Sequence, residues 1–596
     1  MKPVIDILEE KISAVMAAVT GLDDCAAIVK PATDAKFGDY QVNGVMGLAK
    51  KIKTNPRKLA EQIVEKLDFS DICEPPEIAG PGFINLRLKP DFLAKNLLEI
   101  NKDSQNLSID KTKQPKNIVV DFSGPNIAKQ MHVGHLRSTI IGDCICRILE
   151  FLGHNVIRQN HIGDWGTQFG KLINYIFKMY QESAEVGTGL LRESNRKFEV
   201  SKLEELYRKA NQLEETDPQF AKESREWVVR LQKLDHIAIS YWNRIVNWSF
   251  QECQEIYNIL YIKLNKDDIR GESAYNDDLP KVVEDLKNKG LAVESDGAIC
   301  VFPPSFKNKE GQPLPFIIQK SDGAFLYATT DLAAIRYRVN ELKANTIIYV
   351  TDSRQKLHFE MLFAVTKMAG WVSDKVELNH VMFGSVLGEN NQPLKTRSGE
   401  NVKLKELLDE AVERAKKVVE EKNPELPDEK KEEIATAVGI GAVKYADFSN
   451  NRTSDYVFSF DKMLAMEGNT APYMQYAYAR IKSIERKAQS KDVDIEDELA
   501  GVSDLNLTEP EEIDLAKYLI RYGEAIQAAV ADYRPNYLTA YLYELAQKFS
   551  AFYTNCPVLK AESDKRPTRL MLCDLTARTI KHGLSELLGI QVVEQM

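Results

Sequence analysis

Pro125-Asn126-Ile127-Ala128-Lys129-Gln130-Met131-His132-Val133-Gly134-His135 joins two segments of different periodicity. Before it, Ile118, Val119, Val120 and Phe122 surround Asp121 in a short apolar run, the pattern of a buried strand. After it, Leu136, Ile140, Ile141, Ile145, Leu149 and Leu152 recur at helical spacing until Gly153. Two of the eight histidines thus fall within four positions at a strand-to-helix turn. Unpaired N–H groups and the dipole at such a helix start favour a bound phosphate. Gly134 permits close backbone approach, and imidazoles there can donate to phosphate oxygens as charge builds during transfer. The plainer alternative is a loop with two solvated histidines.

Extended in both directions, Asp121-Phe122-Ser123-Gly124-Pro125-Asn126-Ile127-Ala128-Lys129 and His132-Val133-Gly134-His135-Leu136-Arg137-Ser138-Thr139 closely resemble the signature of arginyl-tRNA synthetases. These are class I aminoacyl-tRNA synthetases, whose His-Ile-Gly-His motif is matched here by His-Val-Gly-His. The resemblance runs from Phe37-Gly38-Asp39-Tyr40-Gln41 to Leu587-Leu588-Gly589-Ile590. It implies a multidomain α/β protein: a Rossmann-like parallel-sheet catalytic core, an N-terminal α+β domain and a C-terminal all-α bundle. The expected divisions are 1–105 for an additional domain that meets the tRNA elbow, 117–460 for the catalytic domain and 461–596 for an anticodon-binding bundle. A connective insertion is expected at about 185–310.

A length of 596 residues exceeds one ordinary core and suggests three or four domains. With 44% hydrophobic and 28% charged residues, and no apolar run near 18 residues, a globular protein without a membrane span is expected. At the N-terminus Ile5, Leu8, Ile12, Val15 and Val19 alternate with Asp6, Glu9, Glu10 and Lys11, an amphipathic helix rather than a targeting peptide, so a cytoplasmic location is expected. Eight cysteines are scattered without a framework, and Cys144-x-Cys146 lies inside a helical run; buried thiols are expected and no protein-held metal. A net charge of −10 argues against indiscriminate polyanion binding but leaves room for local basic patches.

The coarse pattern places a helix after Pro56 (Leu59, Ile63, Leu67), an alternating strand at Gly80 to Leu86 and a polar linker from Asn101 to Lys116. A second strand, Asn155 to Asn160, completes a βαβ unit that brings Gly163-Asp164-Trp165-Gly166 to the same sheet end. Residues 185–310 read as charged and mostly helical. The sheet is expected to resume at Phe325-Leu326-Tyr327, Thr346 to Val350 and Val381-Met382-Phe383. Beyond Val438 the pattern is helical, with an aromatic bundle and an acidic loop, Lys487 to Glu512, too poor in apolar residues to pack.

Activation of an amino acid by ATP is attack of its carboxylate on the α-phosphorus, so the protein supplies positioning and charge stabilisation. The resemblance implies that His132, Gly134 and His135 hold ATP phosphates, that His132 and His135 are catalytic, and that Mg²⁺ travels with ATP. His154 reads as a helix-end cap, and His161 as a pocket wall. The family's second phosphate loop, Lys-Met-Ser-Lys-Ser, is matched by Pro393-Leu394-Lys395-Thr396-Arg397-Ser398-Gly399, with Thr396 where a lysine is expected. Lys129 matches an upstream lysine held to compensate in family members with that departure. Lys395 and Arg397 remain phosphate candidates, against a solvated basic turn. The same departure implies that arginine activation requires bound tRNA.

Arginine's planar cationic end needs in-plane acceptors. The resemblance puts Asp331 and Asp121 there and Tyr327 over the guanidinium, with Asn126, His135 and Gln355 at the amino acid's backbone groups. Gly124 and Pro125 belong to the same substrate segment. Without the family, Asp331 is equally well a helix N-cap. Lysine or citrulline would leave buried acceptors unpaired, which discriminates by ~10⁴ or more, so no editing function is expected. For tRNA-Arg the implied contacts are Tyr473, Gln475, Tyr476 and Arg480 in the bundle and Phe83 and Asn85 in the N-terminal domain. Tyrosines at helical spacing are as readily core. ATP, L-arginine and tRNA-Arg are the implied partners of a monomer. Two other classes compete: a nucleotidylyltransferase, usually far shorter and without a bundle, and a silent RNA-binding paralogue, against which His132, His135, Tyr327 and Asp331 stand intact.

Overall fold

The computed structural model describes residues 2–127, 129–185, 200–395, 402–489 and 495–596. The chain divides into two compact units, one of residues 113–418 and 442–463, the other of residues 1–112, 419–441 and 464–596.

The first of these is built on four parallel strands, β1 (Asn117–Asp121), β2 (Asn155–Gln159), β3 (Thr346–Tyr349) and β4 (Glu377–His380), in the order β4-β3-β1-β2. Parallel pairing requires crossover connections, and three helices matter here: α1 (Val133–Phe151), α2 (Tyr327–Asn340) and α3 (Lys356–Met368). Asp121 ends β1 opposite Gln159 of β2 and Tyr349 of β3. Val119 and Ile347 of the sheet pack with Leu332, Ile335, Leu362 and Val365 of α2 and α3 in one apolar core. A second core, including Phe169, Ile173, Trp227 and Ile245, joins helices Thr167–Glu185, Val200–Thr216, Pro218–Gln232 and His236–Ile259.

The strand expected at Phe325-Leu326-Tyr327 does not form. Tyr327 opens α2 because the N–H groups of Thr329 and Thr330 already bond the Leu326 carbonyl. The nearby strand is Phe316–Gln319, which pairs antiparallel with Ala298–Val301, itself paired with Ala292–Ser295. This small sheet, inside and just beyond the expected helical insertion, escapes the periodicity because its strands are only four residues long.

In the other unit, helix Val4–Thr20 buries Val4, Leu8, Ile12 and Met16, a stripe rotated slightly from the one expected. Helix Pro56–Lys66 starts at Asn55, whose side chain accepts the Arg57 and Lys58 N–H groups, with proline in its first turn. A four-stranded antiparallel sheet contains Phe83–Leu86. The helical bundle is packed by tyrosines: Tyr541 stacks on Tyr518 and Tyr522 and donates its hydroxyl to the Tyr518 carbonyl. Tyr40 of the sheet donates to Glu524 of the bundle at 2.6 Å, and Lys517 meets Asp39 at 2.8 Å. The expectation that 487–512 packs nothing is corrected: Leu499, Leu505 and Leu507 are buried. All eight cysteines are free and buried. Among the described residues no helix is long and apolar enough to cross a membrane.

Candidate active site

The carboxyl ends of β1 and β3 and the starts of α1 and α2 surround a cavity of about 690 Å³. That is where open parallel sheets hold ligands, because the strands deliver loops there and helix starts point N–H groups at it.

His132 is the N-cap of α1. Its Nδ1 accepts the Gly134 N–H at 3.0 Å, and the Nδ1 of His135 accepts the His132 N–H at 3.1 Å. Each Nδ1 therefore carries no proton, which fixes both neutral rings as Nε2–H donors. A Cβ at Gly134 would lie 2.7 Å from the His132 ring, so only glycine lets the imidazole fold over its own helix start. Burial, with His132 alongside, pushes His135 down to about 3; burial and then Lys129 lower His132. The first turns of α1 are anchored by Ser138, which accepts the Ser123 N–H and donates to the Val350 carbonyl, and by Arg137, paired with buried Asp447. Gly124, at φ +52°, donates its N–H to Asn160 and lines the cavity with Asn126; the Pro125 carbonyl accepts the Gly163 N–H outside the lining.

Backbone bonds tie this turn to the segment after the expected second phosphate loop: Val133 N–H to the Val402 carbonyl and Leu404 N–H to the Met131 carbonyl. Lys129 is exposed, its Nζ 5.8 Å from the Tyr207 ring centre, and Lys395 is exposed; neither lines the cavity. Thr396 and Arg397 lie outside the described residues.

At the other end of the cavity stand Tyr327, Asp331, Gln355, His358 and Glu272. Asp331 is not an N-cap: Leu326 holds that position without a side-chain bond, and Asp331 bonds His358 Nε2 at 2.7 Å. Tyr327 is 65% exposed, its ring 5.0 Å from His358. Burial, then Asp164 and Asp331, push Glu272 up to about 7, and Glu272 had no sequence signal beyond the neighbouring Gly271, where a Cβ would strike Asp164. Asp121 also lines the cavity, where one of its carboxylate oxygens accepts from the buried Arg338 at 2.6 Å. His161 lines the cavity and stacks on Tyr275, while His154, away from it, accepts the Lys116 N–H.

One of the expected RNA contacts is corrected: Gln475 is fully buried and donates to the Ala437 and Gln591 carbonyls, so it has no free edge for a base. Asn85 is 6% exposed and its side-chain oxygen accepts from Gln41 at 2.9 Å. Tyr476 is exposed, whereas Phe83, Tyr473 and Arg480 are half-buried, Tyr473 edge-on to Tyr543 and Arg480 over Tyr553.

Three family models match the chain: tRNA synthetases class I (R), catalytic domain, over residues 96–460; DALR anticodon binding domain over 474–596; and arginyl tRNA synthetase N terminal domain over 6–88. Among curated relatives, the arginine–tRNA ligase of Hahella chejuensis is 48% identical over 591 residues and that of Proteus mirabilis 50% over 590, each alignment covering 99% of both chains. Among solved structures, arginyl-tRNA synthetase from Plasmodium falciparum matches with a TM-score of 0.83 at 33% identity, and that from Thermus thermophilus with 0.80 at 26%, both covering 100% of each chain. Full-length identity near one half, on top of this cavity, means that the chain belongs to the arginyl-tRNA synthetase family of class I aminoacyl-tRNA synthetases.

Proposed function

We propose that the cavity holds L-arginine and ATP together and makes arginyl-adenylate, the chain being an arginine–tRNA ligase that passes the arginyl group to the 3′ end of tRNA-Arg. The arginine carboxylate oxygen attacks the α-phosphorus, the bond to the β-phosphate oxygen breaks, and pyrophosphate leaves. The nucleophile is already anionic, so the catalytic need is for donors where phosphate charge develops. Carrying this reading is the pair of neutral Nε2–H imidazoles, His132 and His135, in one cavity with Asp331 and Glu272. The imidazoles and the α1 N–H groups take the phosphates. Asp331 and Asp121, with Glu272, take the guanidinium, with Tyr327 over it, and Asn126 and Gln355 orient the amino acid's backbone groups. A donor set of N–H groups suits phosphate oxygens rather than a cation, so Mg²⁺ enters with ATP, whose phosphates carry it.

Lys129, with Lys395 and Arg397, supplies further charge to the phosphates. The Met131–Val133 to Val402–Leu404 backbone bonds support a coupled pair of loops, and tRNA binding completes their arrangement before arginine is activated. Residues 461–596 serve the anticodon, through exposed Tyr476 and half-buried Tyr473 and Arg480, and residues 1–105 the tRNA elbow, through Phe83 and the amide of Asn85. The working form is a cytoplasmic monomer, which sedimentation with and without tRNA checks. Aminoacylation of total tRNA with each of the twenty amino acids tests the whole reading: arginine alone is expected to be charged, and charging of another amino acid, or of none, overturns it.

A further inference from the structure

A chain of buried hydroxyls links the insertion to α1. Tyr257, near the end of the helix His236–Ile259, is fully buried and does not line the cavity. Its hydroxyl lies 2.7 Å from Ser123 Oγ and accepts from Asn160 Nδ2 at 3.0 Å. Ser123 Oγ is 3.0 Å from Thr139 Oγ1, which is 2.8 Å from the His135 carbonyl. The two ends set the direction of this chain: an amide nitrogen only donates, a carbonyl only accepts, and each hydroxyl between them has one proton. Asn160 therefore donates to Tyr257, Tyr257 to Ser123, Ser123 to Thr139, and Thr139 to the His135 carbonyl. The Asn160 amide cannot turn over, because its Oδ1 accepts the Gly124 N–H at 3.1 Å.

These bonds hold a turn that local preference alone would not keep. Ser123 and Gly124 both have left-handed backbone, at φ +72° and +52°. Glycine takes that conformation freely, whereas serine does so only under constraint. Ser123 is held by its N–H, which Ser138 accepts at 2.9 Å, and by its hydroxyl, which meets Tyr257 and Thr139. The turn sets where Gly124 and Asn126 stand in the cavity, at the end assigned to the amino acid's backbone groups. Beyond Tyr257, the same limb of the insertion bonds the Asn160–Ile162 segment through its backbone. The Asn160 N–H donates to the Asp268 carbonyl, the Arg270 N–H to the Asn160 carbonyl, and the Glu272 N–H to the Ile162 carbonyl.

We propose that Tyr257 is a positioning residue for arginine: its hydroxyl holds the Ser123–Gly124 turn in the shape that seats the amino acid's backbone groups, and so ties that seat to the insertion helix. This rests on the arginine-activating reading above. The phosphate donors do not depend on this hydroxyl. The His132 and His135 rings are set by backbone bonds at Nδ1, and Thr139 keeps its own bond to the His135 carbonyl. Loss of the Tyr257 hydroxyl leaves a buried Asn160 N–H and the Ser123 hydroxyl without their partner, and the turn moves to satisfy them.

Tyr257→Phe keeps the ring and deletes only the hydroxyl, and Ser123→Ala deletes the other half of the same bond. Arginine-dependent pyrophosphate exchange in the presence of tRNA is measured for both variants and for the double variant. The arginine KM is expected to rise about tenfold in each single variant, with the ATP KM within about threefold of wild type. Either change breaks the same link, so the arginine KM of the double variant should stay within about threefold of the worse single one. An arginine KM raised less than about threefold in either single variant, an ATP KM raised more than that, or arginine effects that multiply in the double variant, overturns the proposal. If Tyr257→Phe fails to fold by circular dichroism, Ser123→Ala decides alone by the same comparison of arginine and ATP. Absence of arginine-dependent exchange in the wild type would instead refute the underlying arginine reading.

Discussion

The imidazoles of His132 and His135 lie with ring centres 4.0 Å apart, and each has its Nδ1 occupied by a backbone N–H, from Gly134 and from His132 itself. One capping arrangement thereby starts α1 and aims two Nε2–H donors without a charge on either ring. Charged donors so close would repel, and burial holds both rings neutral.

His135→Ala removes a donor needed chiefly as phosphate charge develops. Its kcat is expected to fall ~10²-fold or more while the arginine KM changes less. His154→Ala should stay near wild type, because His154 only accepts the Lys116 N–H outside the cavity. Steady-state kinetics of both variants checks the contrast, and equal activity of His135→Ala and wild type would sink the assignment.

Asp331→Asn keeps the side chain's size and a bond to His358 but removes a charge facing the substrate cation. The cost is expected to be about 3–5 kcal/mol, a loss of ~10²–10³ or more in kcat/KM for arginine. ATP affinity and melting temperature should change little. Near-normal arginine kinetics would place the guanidinium elsewhere.

What could be read in the sequence follows how local each feature is. The strand, turn and capped helix around His132 lie within one stretch of chain, and their periodicities and breakers are all written there. Arg338, Asp121 and Gln159 converge from α2, β1 and β2, and Glu272 reaches the cavity from a short turn inside the expected insertion, after its long helices; no spacing announces either meeting. Gln475 departs from expectation because a polar side chain in a helix usually faces water, whereas this one satisfies two buried carbonyl groups. The bundle's tyrosines divide the same way: Tyr518, Tyr522 and Tyr541 are core, and Tyr476 is surface.

Glu272 gives the pocket a pH dependence. Burial and the neighbouring acids push it up to about 7, and a bound guanidinium favours its ionised form. Below about pH 7 arginine must displace a proton, so the arginine KM should rise as pH falls, by up to about tenfold per unit. In the free protein the sign is opposite: this group's contribution to stability is full below its ordinary 4.5 and is lost as pH rises toward about 7. Glu272→Gln should raise the arginine KM and flatten its pH profile; an unchanged profile would remove Glu272 from the substrate site.

Lys129 and Thr396 are expected to act as a pair. Lys129→Ala should cripple adenylate formation, and Thr396→Lys should partly restore it in that background. Additive effects in the double-mutant cycle would refute compensation. Pyrophosphate exchange with arginine, ATP and Mg²⁺ should stay near background until cognate tRNA is added, as expected if tRNA binds the activation-competent conformer better; robust exchange without RNA would contradict that requirement.

His132→Asn separates the two jobs of the capping imidazole most directly. Asparagine caps a helix as well as any residue, so its oxygen can accept the Gly134 N–H, but its amide N–H lies one bond closer to the backbone than the imidazole Nε2–H and does not reach the same place. Melting temperature and arginine-dependent adenylate formation would be measured on the same preparation. The expected result is an unchanged melting temperature with kcat lower by ~10²-fold. Wild-type kcat in His132→Asn would contradict it, leaving the imidazole a cap and the phosphate chemistry without its first donor.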